Sequence, residues 1–297
     1  MSELIFKTAT MDDKIWIKEI FSNFFSLGSE SSFGGIFIWG DVYGLKVCRY
    51  KDFLLRKFAE NDKDYFLFPA GNGDLEACLN TLIEYSRKSG GKITFIGLTK
   101  NNLEQIENIF PEKFEFLEER DKEDYIYNAY DLINLKGRKY HSKRNHISKF
   151  NRLYEWQFEE ISELNIEACK DFCNKWFLEN EDDKRSDIVF EKMAIKKALD
   201  NYKELELVGG VIKVEGKIVS LTCGEKINKY TFDIRFEKAL KSYEGAYAVI
   251  NNEFAKRYLN NFSYINREED LGIPGLRKVK LSYHPAALLK RYRAVLR

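Results

Sequence analysis

Leu207-Val208-Gly209-Gly210-Val211-Ile212-Lys213-Val214-Glu215-Gly216-Lys217-Ile218-Val219-Ser220-Leu221-Thr222-Cys223-Gly224 reads as two strands joined by a turn. Runs rich in Val and Ile flank Glu215-Gly216, a two-residue connection that makes its strands antiparallel neighbours. The strands are expected over 205–214 and 217–224. Ile227-Asn228 is a second short turn, so residues 229–236 form the third strand of one meander. A helix over 243–259 then returns the chain for a parallel-going strand over 262–266. A loop bearing Gly and Pro, a short helix and a terminal strand over 288–295 complete the chain.

Upstream of the meander, the pattern predicts a helix from about 137 to 154, a strand over 156–159, a helix over 162–179 capped by Ser162, and a helix over 187–202. The first half alternates strands and helices less regularly. Helices are expected from Thr10 and over 74–88 and 102–110, and a hairpin turns at Lys51-Asp52. Further strands fall at 4–7, 65–68, 93–96 and 114–117. Residues 28–35 read as a loop entering the aromatic segment Phe37-Ile38-Trp39, and 124–127 and 131–132 as short extended pieces. The fold class is therefore α/β of the α+β kind, with mixed, largely antiparallel sheets, in two halves at 1–133 and 134–297.

A chain of 297 residues with 44% hydrophobic and 15% aromatic content has ample material for two cores. Four prolines exclude a Pro-rich linker, and a net charge of +1 advertises no global field for nucleic acid or membrane. No apolar run approaches the ~20 residues of a membrane span. Cys48, Cys78, Cys169, Cys173 and Cys223 are odd in number, scattered and without zinc-site spacing, so reduced thiols and a cytoplasmic location are expected, with no metal.

Charge is unevenly placed within this neutral total. Residues 134–152 carry Lys136, Arg138, Lys139, Lys143, Arg144, Lys149 and Arg152 and no acid, with His141 and His146 among them. Residues 276–297 carry Arg277, Lys278, Lys280, Lys290, Arg291, Arg293 and Arg297, again without acid. Each segment is a solvated basic face or a site for phosphate, such as that of tRNA or an anionic head group. The polar cluster Asn266-Arg267-Glu268-Glu269-Asp270 follows a strand end, where α/β sheets gather ligand sites. Asp233, Arg235, Glu237 and Lys238 stand at the exit of the third meander strand. Glu237, Glu268 and Asp270 are the candidate proton acceptors. Lys139, His141, Lys143, Arg144, Arg235, Lys238, Arg267, Arg277, Lys278 and Lys280 are the candidate substrate or phosphate ligands. The plain alternative for each is an exposed turn with surface ion pairs or, for the histidines, a hydrogen-bonding role.

The element order of the second half matches the acetyltransferase-like (GNAT) architecture, and the first half is a looser version of it. The stretch 136–147 (Lys136-Gly137-Arg138-Lys139-Tyr140 through Ile147), Glu237-Lys238-Ala239, and 264–278 with its core Asn266-Arg267-Glu268-Glu269-Asp270-Leu271-Gly272-Ile273-Pro274-Gly275 resemble the phosphatidylglycerol lysyltransferase C-terminal family. That resemblance covers nearly the whole chain. It implies a tandem GNAT fold similar to the Fem aminoacyltransferases and transfer of an aminoacyl group from tRNA. Two positions depart from pattern: Lys241-Ser242-Tyr243-Glu244-Gly245-Ala246 carries its glycine one position late for a pyrophosphate loop, and Arg235 stands where a His is expected.

These readings converge on an acyl- or aminoacyl-transferase, with charged tRNA the expected donor and an amine or hydroxyl the acceptor. An acetyl-CoA-dependent N-acetyltransferase and a non-catalytic binding protein that keeps the scaffold and a basic groove are the alternatives. Peripheral contact of 276–297 with anionic lipid is a third reading. Residues 233–238, 266–278 and the Lys139 helix are expected to meet at one groove.

Overall fold

The computed structural model describes residues 4–23, 25–180 and 186–297. Its strands form two seven-stranded sheets, and each organises its own compact unit. The first unit draws its described residues from Met1–Asp124, Glu269–Pro274 and Leu288–Arg297; the second comprises Tyr125–Glu268 and Gly275–Ala287.

In the first unit, β1 (Lys7–Thr8), β2 (Lys46–Tyr50), β3 (Phe53–Glu60) and β4 (Lys63–Gly71) pair antiparallel in succession. Helix α3 (Leu75–Lys88) carries the chain to β5 (Thr94–Leu98), parallel to β4. Then follow α4 (Lys100–Ile109) and β6 (Phe114–Glu118). Phe66, Phe95, Phe114, Leu79, Leu82 and Ile106 pack together at the core, each worth roughly 1.5–3 kcal/mol when removed from water. Helix α1 (Lys14–Ser22) starts after Thr10, where expected.

One departure from the sequence reading lies here. Residues 33–39 belong to helix α2 (Phe33–Tyr43). Two adjacent glycines disfavour a helix. Yet Ser32 caps it by accepting from the Gly35 amide at 2.9 Å, and Phe33, Ile36 and Ile38 are buried. Packing outweighs local propensity.

In the second unit, β7 (Asp124–Asn128) and α5 (Ala129–Asn134) precede α6 (His141–Leu153), β8 (Trp156–Glu160), α7 (Ile166–Leu178) and α8 (Ser186–Asp200). The meander is β9 (Val208–Val214), β10 (Lys217–Lys226) and β11 (Thr231–Ala239), followed by α9 (Ala246–Tyr258), β12 (Tyr264–Asn266), α10 (Pro274–Leu281) and β13 (Ala287–Leu289); the last strand, β14 (Tyr292–Leu296), returns to the first unit. Sheet order is β13-β7-β12-β11-β10-β9-β8. Glu215 and Gly216 both have positive φ, 49° and 76°, as a tight hairpin turn requires. Phe150 of α6 and Val249 and Ile250 of α9 pack on Ile212, Val214, Val219 and Ala239.

The division differs from the single cut at 133/134. Residues 125–133, which hold most of β7 and α5, precede that cut yet belong to the second unit, whereas β14 lies between β5 and β6 in the first sheet. The strand expected over 288–295 is thus two strands in different sheets. Residues 131–132 are helical, not extended: α5 is too short to show a period, and the Asn252 amide caps it by donating to the Leu132 and Ile133 carbonyls at 2.8 and 2.9 Å.

Charge is buried in the first unit as well. Arg291 donates to Glu30 at 2.5 Å, to Asp124 at 2.7 Å and to the Gly97 carbonyl at 3.2 Å. Removing one partner of such a buried network typically costs 3–5 kcal/mol, because the remaining charges stay desolvated. Arg291→Met is expected to lose about 3 kcal/mol in chemical denaturation, with Arg291→Lys restoring only part because an ammonium lacks the planar fork.

Candidate functional site

Strand β12 is three residues long and accompanies β11 only from Thr231 to Asp233. Beyond Asp233 the two chains part, and side chains rather than backbone bonds bridge them. A β-bulge lies at the same point. Gly224 pairs with Ile234 and Cys223 with Phe236, which leaves Arg235 as the extra residue of β11. A Cβ on Gly224 would overlap the Asp233 carbonyl oxygen, so only glycine admits the approach.

The bulge reverses the facing of everything after it. Before it, Phe232 packs on Phe254 of α9. After it, Glu237 and Ala239 take the α9 side, whereas Lys238 faces Trp176 of α7 and Glu191 of α8. Asp233 and Arg235 stay together, with Arg235 ion-paired to Asp233 at 2.8 Å and donating to Glu225 at 3.1 Å and Glu268 at 2.8 Å. The four residues that appear as one cluster in sequence therefore serve three different surroundings.

Glu237 is the centre of the candidate site. One carboxylate oxygen accepts from Arg267 Nη2 at 2.8 Å and the other from Asn251 Nδ2 at 3.0 Å. The Glu237 and Arg267 side chains are only 10% and 9% exposed, so their attraction acts in a low dielectric. The Arg267 guanidinium lies over the Tyr283 ring at 4.8 Å and the Tyr127 ring at 5.6 Å. Two polar atoms of this group, Arg267 Nη1 and Asn251 Oδ1, are buried without a hydrogen-bond partner among the described residues. Because Nδ2 must face the carboxylate, the orientation of the Asn251 amide is fixed.

Lys143 of α6 completes the group. Its Nζ stands 3.8 Å from the Tyr283 ring centre and donates to Ser282 Oγ at 2.6 Å. Among the described residues no carboxylate lies within ion-pair distance of it. Burial, followed by the positive charge of Arg267, brings the Lys143 ammonium down to about 8, against an opposing pull from Glu237. Burial also pushes the Tyr283 and Tyr127 hydroxyls up, so both stay protonated.

The other expected residues are dispersed. Glu268 is held by Arg235, and Asp270 belongs to the first unit, paired with Arg120 at 3.4 Å and accepting from the Gly272 amide at 2.9 Å. Arg144 is bound to the Leu135 and Gly137 carbonyls at 2.5 and 2.8 Å, and Lys238 to Glu191 at 2.7 Å. Lys280 is buried against the Arg267 and Glu268 carbonyls. Lys139, which reaches Asp131 at 3.4 Å, His141, beside Asn145, and Lys278 are exposed; Arg277 is half-buried. Gly245 has φ +94°, and a Cβ there would stand 2.6 Å from the His146 carbonyl oxygen of α6, so it admits the packing of α6 against α9. Lys143, Glu237 and Arg267 do meet. Sequence reasoning missed Tyr127, Asn251 and Tyr283. Only Asn251-Asn252, two amides inside a largely apolar helix, gave a signal.

A model of the family "phosphatidylglycerol lysyltransferase, C-terminal" matches residues 23–295. A crystal structure of a conserved Bacteroides thetaiotaomicron protein of unknown function is 40% identical, with a TM-score of 0.95 over 99% of this chain and all of that one. The structure of L-PGS from Bacillus licheniformis is 14% identical, TM-score 0.68, over 99% of this chain and 94% of its own. FemX is 8% identical, TM-score 0.62, over 98% and 97%. The fold is thus the tandem GNAT fold of the Fem-like proteins. An uncharacterised Mycoplasmoides gallisepticum protein is 24% identical over 174 residues, covering 57% of this chain and 54% of that protein; the match spans about half of that relative's length.

The low Lys143 value has a consequence for stability. Below about pH 8 the ammonium is charged in both states and is disfavoured only in the folded one; the penalty disappears as pH rises from about 8 to 10.5, where the unfolded chain also deprotonates. Lys143→Met is expected to raise the thermal midpoint at pH 7, with the gain shrinking towards pH 10.5. Equal gains at all pH values in scanning calorimetry would contradict this.

Proposed function

Because the chain belongs to the phosphatidylglycerol lysyltransferase C-terminal family, we propose that it is an aminoacyltransferase that passes the aminoacyl group of charged tRNA to an amine or hydroxyl. The observation that carries this reading is the buried, unclaimed Nη1 of Arg267 beside Lys143. A guanidinium held in place by Glu237 offers a fixed donor to a carbonyl oxygen as negative charge develops there. Lys143, partly neutral near physiological pH, takes the proton of the attacking group. The nucleophile–carbonyl bond forms, the ester bond to the tRNA ribose breaks, and the proton passes to the ribose oxygen. Asn251 Oδ1 accepts from an amino or hydroxyl hydrogen of the substrate.

The exposed Lys139, His141 and Lys278 supply phosphate contacts that position the donor without reading its sequence. Glu268, Asp270, Arg144, Arg235, Lys238 and Lys280 act as supports in this reading, since each already has protein partners. A cytoplasmic location, where charged tRNA and reduced thiols occur together, belongs to the same proposal. The five cysteines are free and buried, in keeping with it.

The test is transfer of radiolabelled aminoacyl groups from tRNA to a panel of amines and polyols. Arg267→Met and Lys143→Met are each expected to lower the rate about 100-fold or more, and the rate should rise with pH up to about 8. Binding of tRNA should weaken steeply with salt. Turnover of acetyl-CoA without any use of charged tRNA would overturn the choice of donor.

A further inference from the structure

Lys280 is a buried cation that the proposed chemistry does not touch. It is 8% exposed, and its ammonium donates to the Arg267 carbonyl at 2.6 Å and the Glu268 carbonyl at 3.1 Å. Burying an ammonium is costly unless its hydrogens are bound, and these two carbonyls belong to the turn that ends β12. We infer that Lys280 is a positioning residue, whose ammonium fixes the turn that carries the Arg267 guanidinium to Glu237 and Lys143. The inference rests on the transfer reading for its importance, but not for its test.

The turn needs fixing. β12 has left β11 after Asn266, so ladder bonds to β11 no longer hold residues 267 and 268. Glu268 adopts φ +55°, the left-handed region that a side chain rarely takes, with its amide on Asn266 Oδ1 at 2.6 Å. Tyr125 braces one edge, donating its amide to the Glu268 carbonyl at 3.1 Å and accepting from the Arg267 amide at 3.0 Å. Lys280 braces the other, and its own carbonyl is fixed by the Tyr127 hydroxyl at 2.8 Å. A basic residue in an acid-free segment is thus turned inward, towards backbone rather than phosphate.

Displacing Arg267 would be felt at Lys143. The groups that face Lys143 are Arg267, Glu237 from β11, the Tyr283 ring and the Ser282 hydroxyl; on its own side, Lys139 is held by Asp131. Arg267 is the cation of that set, so moving it away lets the Lys143 ammonium persist to higher pH.

The experiment is competitive labelling of the full chain with acetic anhydride across pH, read at Lys143 by peptide mass spectrometry. Wild type should show a midpoint near 8. Arg267→Met should raise it by roughly one pH unit or more, and Lys280→Met by about half of that or more. Lys196→Met, at an exposed lysine of α8 paired with Asp200, should leave it unmoved. If Lys280→Met fails to fold, Lys280→Gln, which retains a donor for one carbonyl, should give a smaller shift of the same sign. A folded Lys280→Met or Lys280→Gln with the wild-type midpoint overturns the inference, as does an Arg267→Met that leaves Lys143 unchanged. Absence of aminoacyl transfer with these shifts intact would instead remove the transferase reading and leave the positioning role standing.

Discussion

The candidate site depends on the parting of β11 from β12 after three paired residues, combined with the bulge at Arg235. A longer β12 would fill the gap with backbone hydrogen bonds and leave no room for side chains between the strands. The observed gap is closed instead by two crossing ion pairs, Arg235–Glu268 and Glu237–Arg267. The bulge assigns one pair to each face of the sheet. Gly224 is the local condition for that arrangement, since any side chain there would meet the Asp233 carbonyl.

The two pairs differ in what they leave unfinished. Arg235 is surrounded by Asp233, Glu225 and Glu268 and is committed to protein partners. Arg267 has one carboxylate and two aromatic faces, and its Nη1 stays unclaimed in a buried setting. Buried donors without partners are rare in folded proteins because each forfeits its hydration. Such an atom beside a lysine with a lowered pKa is a feature of sites where charge is held ready for a reaction. Relatives of known fold share the scaffold at 14% and 8% identity, which speaks to architecture; the chemistry has to be argued from these side chains.

The basic segments illustrate how composition misleads about exposure. Residues 276–297 form an acid-free basic stretch in sequence, yet Lys280 and Arg291 are among the most buried cations of the protein. Their counter-groups are distant in sequence: carbonyls of 267 and 268 for one, Glu30 and Asp124 for the other. In residues 134–152, Arg144 folds back onto the Leu135 and Gly137 carbonyls although it is exposed, as Lys139 and His141 are, whereas Lys143 is half-buried against Tyr283. A helix of this kind is basic towards solvent on one side and structural on the other.

Sequence alone determined the meander, because Val- and Ile-rich runs and short turns such as Glu215-Gly216 are local devices that act through neighbouring residues. It also marked Lys143, Glu237 and Arg267 as candidates, and the family resemblance drew attention to the segments that hold them. Tertiary structure decided which of the marked residues meet. The alternation rule alone would put Glu237 on the same face as Asp233 and Arg235. One extra residue at the bulge moved it to the α9 side, where Asn251 and Arg267 wait. The interlaced division of the chain was likewise invisible locally, since the placement of β14 between β5 and β6 is a pairing between residues almost two hundred positions apart. Periodicity reports which residues seek burial; only the closed packing of the sheets decides which partners they find there.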